Sequence, residues 1–170
     1  IHDPTDSSLL GDSVRVMLRL LYAAESLAGG HVMFFSNHQR RAKKRVREIL
    51  YTRGKDRKAR LYKDLVDITS KTLGYVMFAL NRTPDGVTDP VAWEGWRVEA
   101  QHYVRLIAQV IDQTKRRVFQ GETVPAREKV VSLFEEHSDI VVKGSRDIQY
   151  GHKLNLSTGT SGLVLDLTIE

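Results

Sequence analysis

The residues with the clearest chemical capacity form one basic stretch between residues 36 and 60, SNHQRRAKKRVREILYTRGKDRKAR. This stretch holds 11 of the 26 lysines and arginines and only two acids, Glu48 and Asp56, so its charge is +9. The remaining residues together carry −4, which makes the net charge of +5 the property of a single segment. Such a local concentration of cations indicates a polyanionic partner, and nucleic acid is the first candidate.

The basic stretch also has the periodicity of a helix. Four apolar residues recur at the spacing of one helix face: Ala42, Val46, Ile49 and Leu50. They predict a helix from Ser36 to about Arg53 that packs on a core through this stripe. Arg40, Lys44 and Arg47 then point to solvent or to phosphate on the opposite side. A merely solvated face is the alternative, but few acids stand at i+4 to relieve the repulsion between like charges.

We therefore predict a DNA-binding surface made of six cations of this helix and three of the C-terminal part of the chain. The nine residues are Arg40, Arg41, Lys43, Lys44, Arg45, Arg47, Lys143, Arg146 and Lys153. No catalytic or metal-binding residue is predicted, because the chain has no phosphate-binding glycine motif, no nucleophile elbow and no paired-histidine motif. Its acids are scattered, and His152 has the spacing of a core histidine within an alternating strand.

Three further helices are predicted around the basic one. The first follows the turn and N-cap residues 3–8 and continues to Ala28, before Gly29-Gly30. Its apolar stripe is Leu10, Val14, Met17, Leu18 and Leu21. The next covers residues 61–80 and is followed by a loop at 81–86. It comes after a charged connector at 55–60, for which a helical conformation is left open. The last begins with Asp89 as N-cap and Pro90 in its first position and closes near residue 117. Its aromatic stripe, which includes Trp93 and Trp96, is assigned to packing.

The pattern changes at Gly121. Residues 130–134 and 140–142 indicate short extended runs, and apolar and polar residues alternate over 148–156 and again over 163–169. The predicted fold class is therefore α+β: an antiparallel bundle of about four helices in residues 1–120, followed by an antiparallel β meander in residues 121–170. There is no cysteine, no long apolar run and no visible signal peptide, so the chain is expected to be cytoplasmic, without a membrane partner.

Three segments resemble the DDE transposases of bacterial insertion sequences. IHDPTDSSLLGDSVRVMLRLL at 1–21 resembles the segment after the first catalytic strand of that family. HQRRAKKRVREILYTRGKDRKARLYKDLVDITSKTL at 38–73 resembles its basic helical insertion. KVVSLFEEHSDIVVKGSRDIQYGHKLNLSTGTSGLVLDLTIE at 129–170 is similar to the stretch where its sheet resumes.

The resemblance implies a ribonuclease-H-like catalytic domain that a helical insertion interrupts after the first strand. In that family two aspartates and a glutamate hold two divalent metal ions, expected to be Mg²⁺, for phosphoryl transfer on DNA. No residue of this chain matches the triad: the first aspartate would precede Ile1 and the second would follow Glu170. The chain is thus expected to be an internal fragment that binds no cofactor, and Asp3, Asp6 and Asp166 are not assigned to the triad.

The function that follows is a fragment of a DDE transposase that contributes DNA contacts and scaffold. A homo-oligomer of the intact protein is left open. A non-enzymatic helical module that binds DNA or RNA, with an unrelated β appendage, is the alternative. A helical bundle that binds a protein partner and no nucleic acid is disfavoured by the +9 segment.

Overall fold

The computed structural model describes residues 5–30, 33–82 and 84–134 with their side chains, and beyond them the backbone of strands 139–143, 147–151, 154–158 and 164–169. The chain divides into two compact units, and the first of them extends to Leu133. This unit contains four helices: α1 (Asp6–Leu27), α2 (Gln39–Tyr51), α3 (Lys55–Leu80) and α4 (Pro90–Phe119).

The ends of α1 follow from local chemistry. The hydroxyl of Thr5 accepts a hydrogen bond from the backbone N–H of Ser8, and the hydroxyl of Ser8 accepts one from the N–H of Thr5, which forms a capping box. At the other end, Gly29 and Gly30 have φ of 65° and 90°, a region that glycine enters without steric cost. The N–H of Gly30 reaches back to the carbonyl of Glu25 at 2.7 Å, so the glycine pair closes the helix.

Helix α4 begins as its sequence predicts. Asp89 is the N-cap, and its carboxylate accepts hydrogen bonds from the backbone N–H groups of Val91 and Ala92, both at 3.0 Å. Pro90 occupies the first turn, where its missing N–H costs nothing. The preceding loop lies against the end of α1, because the N–H of Thr88 donates to the carbonyl of Leu27 at 3.3 Å.

The core of the helical unit is centred on α1, which packs against each of the other three helices. Twelve of its 22 residues are buried, and the predicted stripe from Leu10 to Leu21 is among them. The indole rings of Trp93 and Trp96 stack with centroids 4.6 Å apart, and the Trp96 N–H donates to the carbonyl of Leu20 at 2.8 Å. The assignment of the α4 aromatic stripe to packing is therefore confirmed, with Tyr103 only half-buried at its edge.

Buried polar contacts attach two segments to α4: the start of α1 and the segment that follows α4. The carboxylate of Asp6 accepts a hydrogen bond from Arg117 at 3.0 Å and is almost fully buried. The side-chain amide of Gln113 pairs with the backbone of Val130 in both directions: it accepts from the N–H at 2.9 Å and donates to the carbonyl at 3.2 Å. The segment after α4 thus remains part of the helical unit, with Val130 and Leu133 buried in its core.

The predicted fold class, a helical bundle followed by an antiparallel β meander, is wrong. Within the described residues the core is formed by the four helices together with Val130 and Leu133, which lie in the run predicted to be extended at 130–134 but form no strand. The later strands are β1 (Asp139–Lys143), β2 (Asp147–Gly151), β3 (Leu154–Thr158) and β4 (Val164–Ile169). They pair only as β1 with β2 and β3 with β4, in two separate two-stranded antiparallel sheets.

The reason lies in the single strand predicted over 148–156. In the structure β2 ends at Gly151 and β3 begins at Leu154, so one alternating run supplies a strand to each of two sheets. Alternation of apolar and polar residues reports the period of a strand but not which strands pair. His152, expected to be a core histidine, lies outside the described residues.

Two helix bounds also differ from the sequence prediction. Helix α2 is shorter than predicted, because it begins at Gln39 and ends at Tyr51. Helix α3 begins at Lys55, so the charged connector at 55–60 forms its first turns, which is the helical alternative that the sequence leaves open. The connector is rich in Lys and Arg, both good helix formers, which explains why it is helical without apolar periodicity.

A candidate nucleic-acid interface on helices α2 and α3

Helix α2 is attached to the unit by very little apolar surface. Ala42 and Ile49 are its only buried residues, and Val46 is half-buried against α1. A Cβ added at Gly11 of α1 would lie 2.9 Å from the Val46 side chain, so this glycine permits the close approach of the two helices. Leu50 was predicted on the buried stripe, but 68% of it is exposed, so that part of the prediction is wrong.

The first turn of α2 is held by side chains that precede it. The carboxamide oxygen of Asn37 accepts the N–H of Gln39 at 3.0 Å, and its NH₂ group donates to the Tyr22 hydroxyl at 2.9 Å. His38 is the N-cap residue but makes no capping hydrogen bond, and its ring stacks on Tyr75. Burial, with the nearby Lys71 and Arg41 charges, lowers the pKa of His38, so the imidazole is neutral at pH 7.

A second attachment is ionic and is centred on Asp64 of α3. Its carboxylate accepts hydrogen bonds from Arg45, at 2.5 Å, and from Arg41. Arg45 also donates to Glu48 at 2.6 Å, one turn further along α2. Burial would raise the pKa of Asp64, but the hydrogen bonds from Arg45 and Arg41 outweigh it, and the pKa is lowered from its ordinary value. We call Asp64, Arg41, Arg45 and Glu48 the ionic clamp.

The other cations of α2 are exposed. Arg40, Lys43 and Arg47 have no ion-pair or hydrogen-bond partner among the described residues. Lys44 lies 3.9 Å from Glu48, at the outer limit of an ion pair, and 69% of its side chain is exposed. Since Glu48 is already bonded to Arg45, these four cations are poorly compensated. Their charge is therefore open to an external anion.

The cationic surface continues from α2 across the connector into α3. An open groove of about 940 Å³ lies where the two helices meet, and Asp64 and Glu48 of the ionic clamp lie on its wall. Four further arginines line it, and none has a carboxylate partner among the described residues: Arg47, Arg53, Arg57 and Arg60. Tyr51 also lines the groove, and 77% of it is exposed. We call this feature the arginine groove.

The structure separates the nine predicted DNA-binding residues into three groups. Four lie exposed on the surface of α2: Arg40, Lys43, Lys44 and Arg47. Arg41 and Arg45 face α3 instead, where the ionic clamp uses their charge to hold the helix. Lys143 lies at the end of β1, but its side chain is not described, and Arg146 and Lys153 lie outside the described residues.

Sequence reasoning missed Tyr51 and the three arginines Arg53, Arg57 and Arg60 as site residues. All four belong to the +9 stretch, so the charge count contained the signal. They were left out because the prediction treated α2 as the functional unit and residues 55–60 as a connector. The position of α3, which only three residues separate from the end of α2, brings them into one groove.

The described part of the chain contains no cluster of three or more histidine, aspartate or glutamate side chains that is placed to hold a metal ion. Within the same residues, no helix combines the length and the apolar character needed to span a bilayer.

Comparison of the chain with protein-family models, with curated proteins and with solved structures gives no match.

Proposed function

We propose that the chain binds nucleic acid through the exposed cations of α2, chiefly by contacts with phosphates and with little sequence preference. The observation that carries the proposal is the set of exposed, poorly compensated cations on α2: Arg40, Lys43, Lys44 and Arg47. Cations on an exposed face release the counterions condensed on a nucleic acid, and this release favours binding to any sequence. The face offers few Asn or Gln side chains beyond Gln39 to distinguish bases.

We propose that this polyanion is DNA. We also propose that the chain is part of a DDE transposase, to which it contributes DNA contacts and scaffold. The resemblance of residues 1–21 and 38–73 to insertion-sequence transposases supports this choice, and the four exposed cations lie within the second of these segments. In the intact protein, metal-dependent phosphoryl transfer would be carried out by residues that this chain does not contain. The sequence encoded on either side tests the assignment: an aspartate-bearing strand upstream and an Asp-Gly strand downstream support it, and their absence refutes it.

The salt dependence of DNA binding tests the phosphate contacts. If about four cations touch phosphates, log K should fall against log salt with a slope of about −3.6, from ~0.9 for each contact. In the triple variant Arg40→Ala, Lys44→Ala and Arg47→Ala, the slope should become shallower by about 2.7. None of these residues is buried, so the circular dichroism spectrum should not change. The measurement is fluorescence anisotropy of a labelled duplex at several salt concentrations.

A matched control removes the same number of charges elsewhere on the helical unit. Arg19, Arg82 and Arg127 are exposed and lie outside the basic stretch: Arg19 and Arg127 pair with glutamates, and Arg82 lies over the Phe78 ring. Changing all three to Ala lowers the net charge equally and should leave the slope almost unchanged. Equal slopes in the two triple variants would contradict the proposal, because net charge alone would then explain binding.

A further inference from the structure

We infer that the arginine groove binds unpaired nucleotides, with the Tyr51 ring stacking on a base while Arg53, Arg57 and Arg60 contact the adjoining phosphates. The inference rests on the proposed function and assigns a substrate class to one part of the same basic surface. It makes the groove a site for single-stranded nucleic acid, whereas the face of α2 binds the phosphates of any duplex.

The positive charge of the groove favours an anion of high charge density. Four arginines without carboxylate partners line one concavity, and the two acids on its wall, Glu48 and Asp64, are already bonded to Arg45. Like charges at this spacing repel one another, so an anion in the groove relieves an unfavourable interaction and gains favourable ones. Guanidinium groups present paired donors that match phosphate oxygens, which makes phosphate the anion of choice.

The backbone at the bottom of the groove adds to this preference. Gly54 is the N-cap of α3 and supplies no side-chain acceptor, whereas Thr5 caps α1 and Asp89 caps α4. Gly54 and Arg57 both line the groove, so the uncapped first turn of α3 is at its surface. Free N–H groups at such a terminus favour an anion, in addition to the arginine charges.

The exposed ring of Tyr51 favours a single strand over a duplex. Tyr51 is the last residue of α2, it lies one turn after Arg47, and 77% of it is exposed. A large exposed aromatic beside unpaired arginines is the combination that binds single-stranded nucleic acid, where each unstacked base offers a face. In a duplex the base faces are stacked inside and cannot reach Tyr51.

The dimensions also favour a flexible strand. A volume of about 940 Å³ lies within the range of about 300–1,000 Å³ typical of small-ligand sites, which suits one or a few nucleotides. A duplex presents its phosphates on a convex surface and can touch only the rim of such a groove. Because DNA and RNA share phosphates and base faces, the groove geometry selects unpaired nucleotides as a class.

The test compares four fluorescent probes with the full chain: a 12-nucleotide oligo-dT, a 12-nucleotide oligo-U, an abasic deoxyribose-phosphate 12-mer and a 12-base-pair duplex. Tyr51→Ala should weaken oligo-dT binding about fivefold or more, because stacking on an aromatic side chain contributes at least that much for each base. It should not weaken binding of the abasic strand or of the duplex. Tyr51→Phe keeps the ring and should restore oligo-dT affinity.

Two further variants complete the design. Leu50→Ala removes the neighbouring exposed apolar side chain, which does not line the groove, and should leave all affinities unchanged. The triple change of Arg53, Arg57 and Arg60 to Ala should make the salt slope for oligo-dT shallower by about 2, from ~0.7 for each contact with a single strand. Equal loss with oligo-U would show that the groove accepts both nucleic acids, and loss confined to oligo-dT would assign it to DNA.

The outcomes separate this inference from the proposed function. If Tyr51→Ala weakens the dT, abasic and duplex probes equally, or none of them, the assignment to unpaired nucleotides is overturned. Salt-dependent duplex binding that still responds to the Arg40, Lys44 and Arg47 changes would leave the proposed function standing in that case. Absence of binding to every probe would overturn both.

Discussion

Helices α1 and α2 are held in the same unit by opposite means. Twelve side chains of α1 are buried, and its ends are fixed by a capping box and by two glycines. Two side chains of α2 are buried, its N-cap makes no side-chain hydrogen bond, and a partly exposed ionic clamp to Asp64 adds to its attachment. The difference shows that α1 is a structural helix, whereas most of the surface of α2 is available for contacts outside the unit.

The largest effect should come from the core on which α1 packs. Trp96→Ala removes a buried indole that stacks on Trp93 and donates to the Leu20 carbonyl. We expect it to lower the free energy of unfolding of the whole helical unit by about 3–5 kcal/mol. Chemical denaturation followed by circular dichroism measures this loss. If amide hydrogen exchange in α1 is no faster in this variant, α1 does not depend on this contact, and the proposed contrast between the helices is wrong.

A smaller effect is expected at the apolar contact of α2. Ile49→Ala should cost about 2 kcal/mol, near the lower limit for such a truncation, because α2 can close over the space without disturbing the other helices. Leu50→Ala, one residue later, changes an exposed side chain and should stay within about 0.5 kcal/mol of the original protein. Comparable losses for the two variants would restore the original prediction that both residues lie on the buried stripe.

The smallest effect is expected from the ionic clamp, because its side chains are partly exposed to water. Asp64→Asn should cost about 1 kcal/mol, and amide hydrogen exchange should speed up in α2 while that of α1 stays unchanged. Acid should reproduce this effect. The pKa of Asp64 is lower in the folded protein than its ordinary value of 3.8, so its contribution is present above that pH and is lost as pH falls through the lowered pKa.

His38 provides an internal reference for that titration. Its pKa is also lowered on folding, from 6.5, so acidification destabilises the start of α2 as soon as the pH falls below 6.5. Protection factors in α2, which are corrected for the intrinsic pH dependence of amide exchange, should therefore fall in two steps, near the histidine range and again below about pH 4. Asp64→Asn should keep the first step and remove the second. If the variant keeps both steps, another carboxylate holds the helix.

The sequence predicted the helices well where apolar periodicity or a cap was present. The Asp89-Pro90 start of α4, the Gly29-Gly30 end of α1 and the buried stripe of α1 were all confirmed. These features depend on residues close in sequence, whose propensities are expressed whatever the rest of the chain does. The β meander failed because one alternating run supplies both β2 and β3, which belong to different sheets, and alternation carries no information about which strands pair.

The candidate site was predicted in its charge but not in its geometry. Counting cations located the basic stretch, yet it could not tell that Arg41 and Arg45 are used by Asp64, which lies 23 and 19 residues away in sequence. It also could not show that Arg53, Arg57 and Arg60 share a groove with Tyr51, because this depends on the angle between two helices. The tertiary structure therefore determines which cations are available to bind a partner.

The connector between α2 and α3 limits how far α2 can move when it detaches from the core. Thr52, Arg53 and Gly54 span the helices, and the Thr52 hydroxyl donates to the Glu48 carbonyl at 2.6 Å, which shortens the free link further. A tether this short keeps the detached helix at a high effective concentration beside its own docking site. Opening of α2 should then be brief and should reverse much faster than the unit unfolds, so that α2 detaches and returns many times during the lifetime of one folded molecule.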